Sequence, residues 1–562
     1  MRIVSSSDSP FIPRRRMQQA AISLSLCALV AACGGGGGSS NTSTSTPQAS
    51  NVQPADAARM AEQSSFGPTD ALVAQIQQAG FDAYLTGQFN TPATGYPGLV
   101  TQDVDPNSSV TCPTGSVATC FRDNYTAFPV QLKFYQNALT GSDQLRQRVA
   151  FALSQILVAS DVEVQGTYAI AQYQQMLLDN AFGNFRDILL KVTLSPTMGD
   201  YLNMVNSSKN SPNENFGREV LQLFSVGVFQ LNQDGTQKLD AQGNPIPTYD
   251  QSVITGFASA FTGFTYPPRP GQAAKFPSPP YYIGQMVSFA ANHDTGTKTL
   301  LNGATLPAGQ TPDKDLSDAI DNIFNHPNVG PFIGTRLIRQ LVTSNPSPAY
   351  VSRVAGAFNN NGSGVRGDMQ AVIRAILLDP EARGDVKTDV NYGKLREPAL
   401  FMASVMRALG GTSDGVYLNS RSGQMLQKVY SSPSVFNFYP PDYGLPGSDV
   451  LSPEFAIANT ATALQRANIM NELILGAAIK PDTTVAGSTG TTIDWTSLQT
   501  LAADSAKLTD RLNTLMMHSA MSSAMRTTII NAVEAVPSTD PLKRAKTAVY
   551  LAATSAQYMV EK

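Results

Sequence analysis

Apolar residues recur at spacings of three and four along most of the chain, which is the period of a helix with one buried face. After Ser142, which is a suitable N-cap residue, Leu145, Val149 and Leu153 form one apolar stripe. The same pattern predicts further helices over about 168–180, 185–193, 251–261, 313–324, 331–343, 347–358, 368–378, 397–409, 454–475 and 497–517. A helical fold is therefore predicted.

The clearest helix start begins at Ser211. Ser211 is predicted as the N-cap, Pro212 as the first helical residue and Glu214 as the partner that completes a capping box. The helix presents Phe216 on its apolar side and is predicted to stop at Gly227, because glycine tolerates the left-handed conformation that ends helices.

A different pattern occupies residues 230–250. The turn sequences Asp234-Gly235 and Gly243-Asn244-Pro245 separate short segments, which predicts a small β-hairpin excursion. There is no internal repeat and no strong linker after residue 50. The predicted fold class is therefore all-α, with residues 54–562 forming one large helical domain that carries a minor hairpin near 230–250.

The first 33 residues have the pattern of an export signal. Arg14, Arg15 and Arg16 form a basic region, and an apolar run of 13 residues, too short to span ~30 Å of hydrocarbon, ends in Ala32-Cys33. This is the pattern that lipoprotein signal peptidase cuts, so Cys33 is predicted to be acylated. The alternative is an ordinary signal peptide with an incidental cysteine.

The segment that follows Cys33 favours the lipoprotein interpretation. Residues 34–53 are rich in Gly, Ser and Thr, a composition typical of a flexible tether between a lipid anchor and a folded domain. Gly34, rather than Asp, follows the cysteine, which favours the outer membrane. The sequence therefore predicts a cell-envelope protein that is attached to the membrane through its lipid.

Composition excludes one class of partner. Charged residues make up 14% of the chain and the formal net charge is -3, so there is no basic surface of the kind that nucleic-acid binding requires. Nucleic acid is therefore not an expected partner.

Two cysteines remain in the predicted mature chain. Cys112 and Cys120 lie close in sequence across Pro113 and Gly115, and in an oxidising compartment a small disulfide-closed loop is expected. A metal-binding pair is the alternative, although neither a histidine nor a third cysteine lies nearby.

Two short motifs match catalytic patterns but not their structural context. Residues 411–415 match the nucleophile elbow, and residues 362–367 match the dinucleotide-binding glycine pattern. Both patterns require a preceding strand, whereas a helix is predicted before each of them. We interpret them as loops, with Asp368 as the N-cap of the next helix.

The remaining candidate chemistry centres on His293. His293 and Asp294 are adjacent, with Lys298 close behind, in a polar loop. If this loop folds over the helix that begins near Ser211, Glu219 could complete a carboxylate–histidine arrangement for general acid–base work or for a divalent metal. The alternative is that His293 is a loop hydrogen-bonder and Glu219 pairs with an arginine. The sequence names neither a metal nor another cofactor.

Taken together, several stretches resemble the bacterial family known only as domain of unknown function 1800. These stretches are residues 59–69, 148–154, 180–187, 212–223, 260–263, 293–294, 326–332 and 394–398. The resemblance implies an exported bacterial protein of unknown activity, often encoded beside an exported sulfatase-like protein, which is a possible partner. Many relatives carry His where this chain has Phe224.

Two functions follow as hypotheses. The first is a non-catalytic envelope lipoprotein that binds a partner protein or an envelope polymer. The second is an envelope enzyme, hydrolase-like and metal-assisted, that uses Glu219, His293 and Asp294. The Phe224 substitution counts against a catalytic role for the Ser211 helix, because a histidine ligand or base at that position is lost.

Overall fold

The computed structural model describes residues 51–101, 103–105, 108–389 and 391–562. The predicted signal peptide, Cys33 and the tether up to residue 50 lie outside these residues.

The first half of the described chain is almost entirely helical. Its α-helices are α1 (Pro54–Ser64), α2 (Asp70–Ala79), α3 (Phe81–Phe89), α4 (Ser108–Thr111), α5 (Cys120–Tyr125), α6 (Phe128–Thr140), α7 (Gln144–Ile156), α8 (Thr167–Asn180), α9 (Phe185–Leu194), α10 (Pro196–Tyr201), α11 (Glu214–Gln222) and α12 (Gln251–Ala260).

The second half continues in the same way. Its α-helices are α13 (Pro312–Phe324), α14 (Val329–Leu341), α15 (Pro348–Asn359), α16 (Met369–Leu377), α17 (Pro380–Arg383), α18 (Pro398–Ala408), α19 (Val416–Gln424), α20 (Thr460–Met470), α21 (Thr496–Leu501), α22 (Ser505–Met517), α23 (Ser523–Glu534), α24 (Pro541–Ala553) and α25 (Ala556–Met559). Short 3₁₀-helices cover Ala290–Asn292, Leu301–Gly303, Asp385–Thr388 and Pro453–Ile457, and a π-helix covers Asn471–Leu475.

The strands of the described residues are short and form antiparallel pairs. They are β1 (Phe264–Thr265) with β2 (Val287–Ser288), β3 (Lys298–Thr299) with β4 (Thr305–Leu306), β5 (Lys394–Leu395) with β8 (Val560–Glu561), and β6 (Thr412–Ser413) with β7 (Thr491–Thr492). The all-α class with minor β elements is therefore confirmed.

The excursion at 230–250 also has the β character that its turns predicted. Isolated bridges join Phe229 to Pro247, Leu231 to Gln237 and Leu239 to Pro245. The two turns between them contain Gly235 and Gly243, both with positive φ (+78° and +85°), a conformation that glycine adopts without steric cost.

Helix starts were predicted within a few residues, but two of the predicted caps were wrong. Helix α7 begins after Asp143 rather than Ser142, and the Asp143 carboxylate accepts a hydrogen bond from the Thr94 backbone N–H (2.9 Å). Helix α11 begins at Glu214, with Asn213 as its N-cap, because Ser211 is paired with Ser208 in a bridge. Glu214 therefore does not close a capping box.

Two long predicted helices are interrupted. The stretch predicted over 454–475 consists of a 3₁₀-helix, then α20, then a π-helical turn. The stretch predicted over 497–517 is broken after α21, and Asp504 caps α22 by accepting a hydrogen bond from the Lys507 backbone N–H (3.0 Å). In both places the helical spacing of apolar residues continues, although the helix itself is interrupted and local capping groups stabilise the new helix start.

The buried apolar side chains form two large clusters. One is built mainly from α1–α3, α7–α9 and α11–α16, and the other mainly from α6 and α18–α25. Helix α1 contributes to the first cluster through Ala57 and Met60, while Phe66, just after it, belongs to the second. Within the described residues, no helix combines the length and the apolar character that a membrane crossing needs.

Candidate functional site

His293 is buried and its ring nitrogens both have partners. Only 1% of the residue is exposed. Nδ1 lies 2.9 Å from the carbonyl oxygen of Thr262, and Nε2 lies 2.9 Å from Oδ2 of Asp315. The Lys298 ammonium lies 2.7 Å from the same carboxylate oxygen. The Asp315 carboxylate therefore contacts both His293 and Lys298, and the three side chains form one buried group.

The carboxylate of Asp294, the residue next to His293, forms hydrogen bonds close to its own loop. Burial opposes ionisation, but hydrogen bonds from the Gly296 backbone N–H (2.7 Å) and from Ser259 lower the pKa of Asp294. Its carboxylate therefore stabilises the turn that leads to Lys298.

Glu219 lies elsewhere. It is half-buried on α11, burial raises its pKa, and its Oε2 has no hydrogen-bond partner among the described residues. The carboxylate that contacts His293 is that of Asp315, and no hydrogen bond or ion pair joins Glu219 to His293 among the described residues. The catalytic role of Glu219, His293 and Asp294 stays a prediction. In the described part of the chain, no group of three or more His, Cys, Asp or Glu side chains is arranged to hold a metal ion.

Cys112 and Cys120 lie at the ends of a short loop and form a disulfide, with their Cα atoms 5.8 Å apart. The loop precedes α5 and packs near the small aromatic cluster that contains Tyr125 and Tyr168. The bonded state of the two thiols in protein from the envelope stays a prediction.

The two motifs that match catalytic patterns lie in ordinary structural settings. Ser413 is in β6, where its hydroxyl hydrogen-bonds that of Thr491 (2.7 Å). Residues 362–367 form the loop between α15 and α16, and the Asp368 carboxylate caps α16 by accepting from the Gln370 backbone N–H (3.0 Å).

The stretches that carry the family resemblance meet in a buried ionic network. Arg396 forms a salt bridge with Glu62 (3.1 Å), which joins the segment at 394–398 to α1. Arg148 and Lys394 both donate hydrogen bonds to the carbonyl oxygen of Gln340, at 2.6 and 2.7 Å. Gln340 is in the last turn of α14, where cations are favourable because the carbonyl groups there lack helical partners. The two cations therefore hold the C-terminal end of α14.

Helix α14 carries two arginines that line a small cavity of about 40 Å³. We call it the arginine cavity, and it is lined by Gln155, Arg336, Arg339, Val435, Tyr439 and Glu454, among others. Burial and the nearby Arg339 lower the pKa of Arg336 to about 10. The Arg339 guanidinium donates to the carbonyl oxygens of Ser344 (3.2 Å) and Pro441 (3.3 Å).

The lining of the arginine cavity also includes a buried acid, Glu454. Burial raises the pKa of Glu454 to about 7, although Lys394, 3.7 Å away, acts in the other direction. One oxygen of Glu454, Oε2, has no hydrogen-bond partner among the described residues. Beside it, Tyr439 donates to Oε2 of Glu397 (2.8 Å).

A larger cavity adjoins the arginine cavity, and a third cavity adjoins that one. The central cavity, about 440 Å³, shares Val435 with it and is also lined by Tyr201, Asn203, Asn215 and Ser434. The tyrosine cavity, about 290 Å³, shares Glu163 and Asp200 with the central cavity and is lined by Tyr125, Tyr168 and Tyr282. We call the three together the polar groove.

The wall of the polar groove is held in place by its own contacts. The Tyr282 hydroxyl donates to the Asp200 carboxylate. Asn437, beside Val435, has a positive φ (+66°) and donates from its side chain to Gln155 (2.9 Å). Asparagine adopts this left-handed conformation more readily than other non-glycine residues.

Sequence reasoning identified neither the polar groove nor Asp315, the carboxylate that contacts His293. One signal was available: Leu223, at the end of the resembling stretch 212–223, lines the arginine cavity.

Comparison with known proteins agrees with the resemblance. The model of the family described as protein of unknown function (DUF1800) matches residues 59–560. No curated protein and no solved structure matches the chain. Phe224 is fully buried in the first apolar cluster. Because the family model covers most of its length, the chain belongs to the DUF1800 family of unknown function.

Proposed function

We propose that this protein is a lipid-anchored lipoprotein of the bacterial cell envelope that binds a glycan polymer of the envelope along the polar groove. The observation that carries the proposal is the groove itself, in which three cavities adjoin through shared residues. A chain of sugars fits the central and tyrosine cavities, with a small substituent in the arginine cavity, whereas a small ligand would fill one cavity alone.

The chemistry of the groove suits a hydroxyl-rich ligand. The central cavity offers the amides of Asn203 and Asn215 and the hydroxyl of Ser434. Such groups both donate and accept hydrogen bonds, as sugar hydroxyl and acetamido groups require. Tyr201 adds a half-buried aromatic ring that ends in a hydroxyl group, and burial and Glu163 raise its pKa to about 12, so the hydroxyl keeps its proton.

Charged residues are spaced along the groove. Arg336 and Arg339 line the arginine cavity together with Glu454, and Glu163 and Asp200 lie where the central cavity meets the tyrosine cavity. This separation fits a polymer with an acidic group at one position and neutral or cationic groups further along. The pattern of the first 53 residues supports attachment to the membrane near such polymers.

Co-sedimentation with purified peptidoglycan sacculi tests the proposal. Full-length protein in mild detergent should pellet with the sacculi, and Tyr201→Ser should weaken binding by about tenfold or more, as loss of a contacting aromatic side chain does at other interfaces. Tyr550→Ser is a matched control, because Tyr550 is also partly buried against an apolar cluster but lies outside the groove.

Two results would overturn the proposal. One is equal sedimentation of the Tyr201→Ser and Tyr550→Ser proteins. The other is a wild-type protein that does not sediment with sacculi but co-purifies stoichiometrically with an exported sulfatase-like protein, because the partner would then be a protein.

A further inference from the structure

Arg336 has an unusual environment for an arginine that lines a cavity. Its guanidinium stacks over the ring of Phe332, 5.0 Å from the centroid, and this is its only direct contact of note among the described residues. Arg339 and Asp442 act on it electrostatically, but neither forms a hydrogen bond or an ion pair with it. Arg336 lines the arginine cavity, and no hydrogen bond or ion pair joins its guanidinium to another of the described residues.

This arrangement leaves the guanidinium open to a ligand. Arg336 is partly buried, so its guanidinium has lost part of its hydration without gaining a protein acceptor. A second guanidinium, that of Arg339, adds like-charge repulsion. An anion bound to Arg336 would offset both costs.

The size of the cavity limits the anion. The arginine cavity has about 40 Å³ of space. A water needs roughly 10–15 Å³ of such space, so the cavity accommodates a few waters or one small oxyanion group, but not a whole sugar.

Glu454 selects against a second negative charge. It lines the cavity, its Oε2 has no hydrogen-bond partner among the described residues, and its ionisation adds a carboxylate to the lining. A singly charged planar carboxylate meets less repulsion there than a tetrahedral phosphate dianion does. It also matches the fork geometry of a guanidinium, which binds carboxylates through two parallel hydrogen bonds.

We propose that the arginine cavity is a carboxylate-binding subsite, in which Arg336 binds the carboxylate of the ligand that occupies the polar groove. The identity of that ligand rests on the proposed function, whereas carboxylate binding by Arg336 does not. The subsite fits a polymer with carboxylate substituents, such as an acidic glycan or one with short acidic peptides attached.

The subsite should bind more weakly as Glu454 ionises. Below pH 7 the protonated carboxyl donates a hydrogen bond to the bound anion, and above pH 7 its charge repels it. The other charged groups that act on Glu454 are Lys394, Glu397 and Glu561, and Arg339 and Arg466 are affected by it in turn. We expect affinity at pH 8 to be on the order of tenfold lower than at pH 6.

Saturation-transfer NMR with simple anions tests the subsite on full-length protein in mild detergent. Acetate should give a signal from its methyl group that saturates in the millimolar range and weakens from pH 6 to pH 8. Arg336→Gln should abolish it, whereas Arg526→Gln, at an exposed arginine paired with Asp510, should not. An acetate signal that survives Arg336→Gln would overturn the subsite.

Two further measurements test whether Arg336 has only a structural role and whether the subsite prefers phosphate to a carboxylate. In chloride buffer without acetate, Arg336→Gln should unfold at the same or a higher temperature than wild type, because it removes a partly buried cation that has no ion-pair partner among the described residues. Clear destabilisation would mean that Arg336 only packs against Phe332, and would overturn the proposal. Inorganic phosphate should compete with acetate poorly, and tighter phosphate binding would overturn the carboxylate assignment.

The two proposals fail in distinguishable ways. If sacculi are not bound but acetate binding depends on Arg336, the glycan proposal is wrong and the subsite stands. If sacculi bind wild type and Arg336→Gln equally, and acetate binding is independent of Arg336, the subsite is wrong and the glycan proposal stands.

Discussion

Glu454→Gln should change the pH dependence of stability in a calculable way. In the folded protein, burial raises the pKa of Glu454 from 4.5 to about 7. The unfolded chain therefore releases this proton near pH 4.5, and the folded chain holds it until about pH 7. Between these values unfolding releases a proton, so the free energy of unfolding falls as pH rises.

The magnitude follows from the two pKa values. Since a tenfold change in proton affinity corresponds to ~1.4 kcal/mol, the change from 4.5 to about 7 corresponds to about 3 kcal/mol of stability lost between pH 4.5 and pH 7. Glutamine has nearly the same shape and cannot ionise. In Glu454→Gln, Lys394 keeps its hydrogen bond to the Gln340 carbonyl oxygen (2.7 Å).

Urea unfolding followed by far-ultraviolet circular dichroism at pH 5, 6, 7 and 8 provides the assay. The difference in unfolding free energy between variant and wild type should shift in favour of the variant by about 2–3 kcal/mol from pH 5 to pH 8. Glu214→Gln is the control: hydrogen bonding to Gln251 lowers the pKa of Glu214, so its profile should run parallel to wild type over this range. A parallel Glu454→Gln profile would refute the reasoning.

Three further predictions concern the anchor, the disulfide and the buried histidine. Cys33→Ser should abolish incorporation of radioactive fatty acid, and a wild-type protein that takes up no label would exclude the anchor. Cys112→Ser should cost ~2 kcal/mol or less, since it opens only a short loop, and peptide mapping of unreduced wild-type protein should find no free thiol there. Asp315→Ala should lower the unfolding free energy by ~3–5 kcal/mol, because it leaves Lys298 and His293 buried without their carboxylate; a change under 1 kcal/mol in urea unfolding would contradict this.

The periodicity of the chain determined where most helices lie, because a helix that packs on a core must repeat its apolar face within a few residues. The predicted range 168–180 differs by one residue from α8 (Thr167–Asn180), and Asp368 caps α16 as expected. Turn residues likewise located the excursion at 230–250, since glycine and asparagine act through their local backbone preferences.

Exact helix starts were less predictable, because several nearby residues could serve as caps. Ser211 and Asn213 are both good N-cap residues, and the bridge between Ser208 and Ser211 decides in favour of Asn213. The carboxylate of Asp143 is likewise engaged by Thr94, a residue far away in sequence. In each case a tertiary contact selected between local alternatives of similar free energy.

The candidate site was almost wholly decided by tertiary structure. The sequence drew attention to His293 because it is one of three histidines, but its carboxylate partner, Asp315, becomes identifiable only when α13 packs against the loop. Arg336 and Glu454 have no sequence relation, and each alone resembles a solvated charge. Periodicity shows which side of a helix is apolar, but not which other segment covers its polar side. That Arg336 and Glu454 line the same cavity therefore depends on long-range packing.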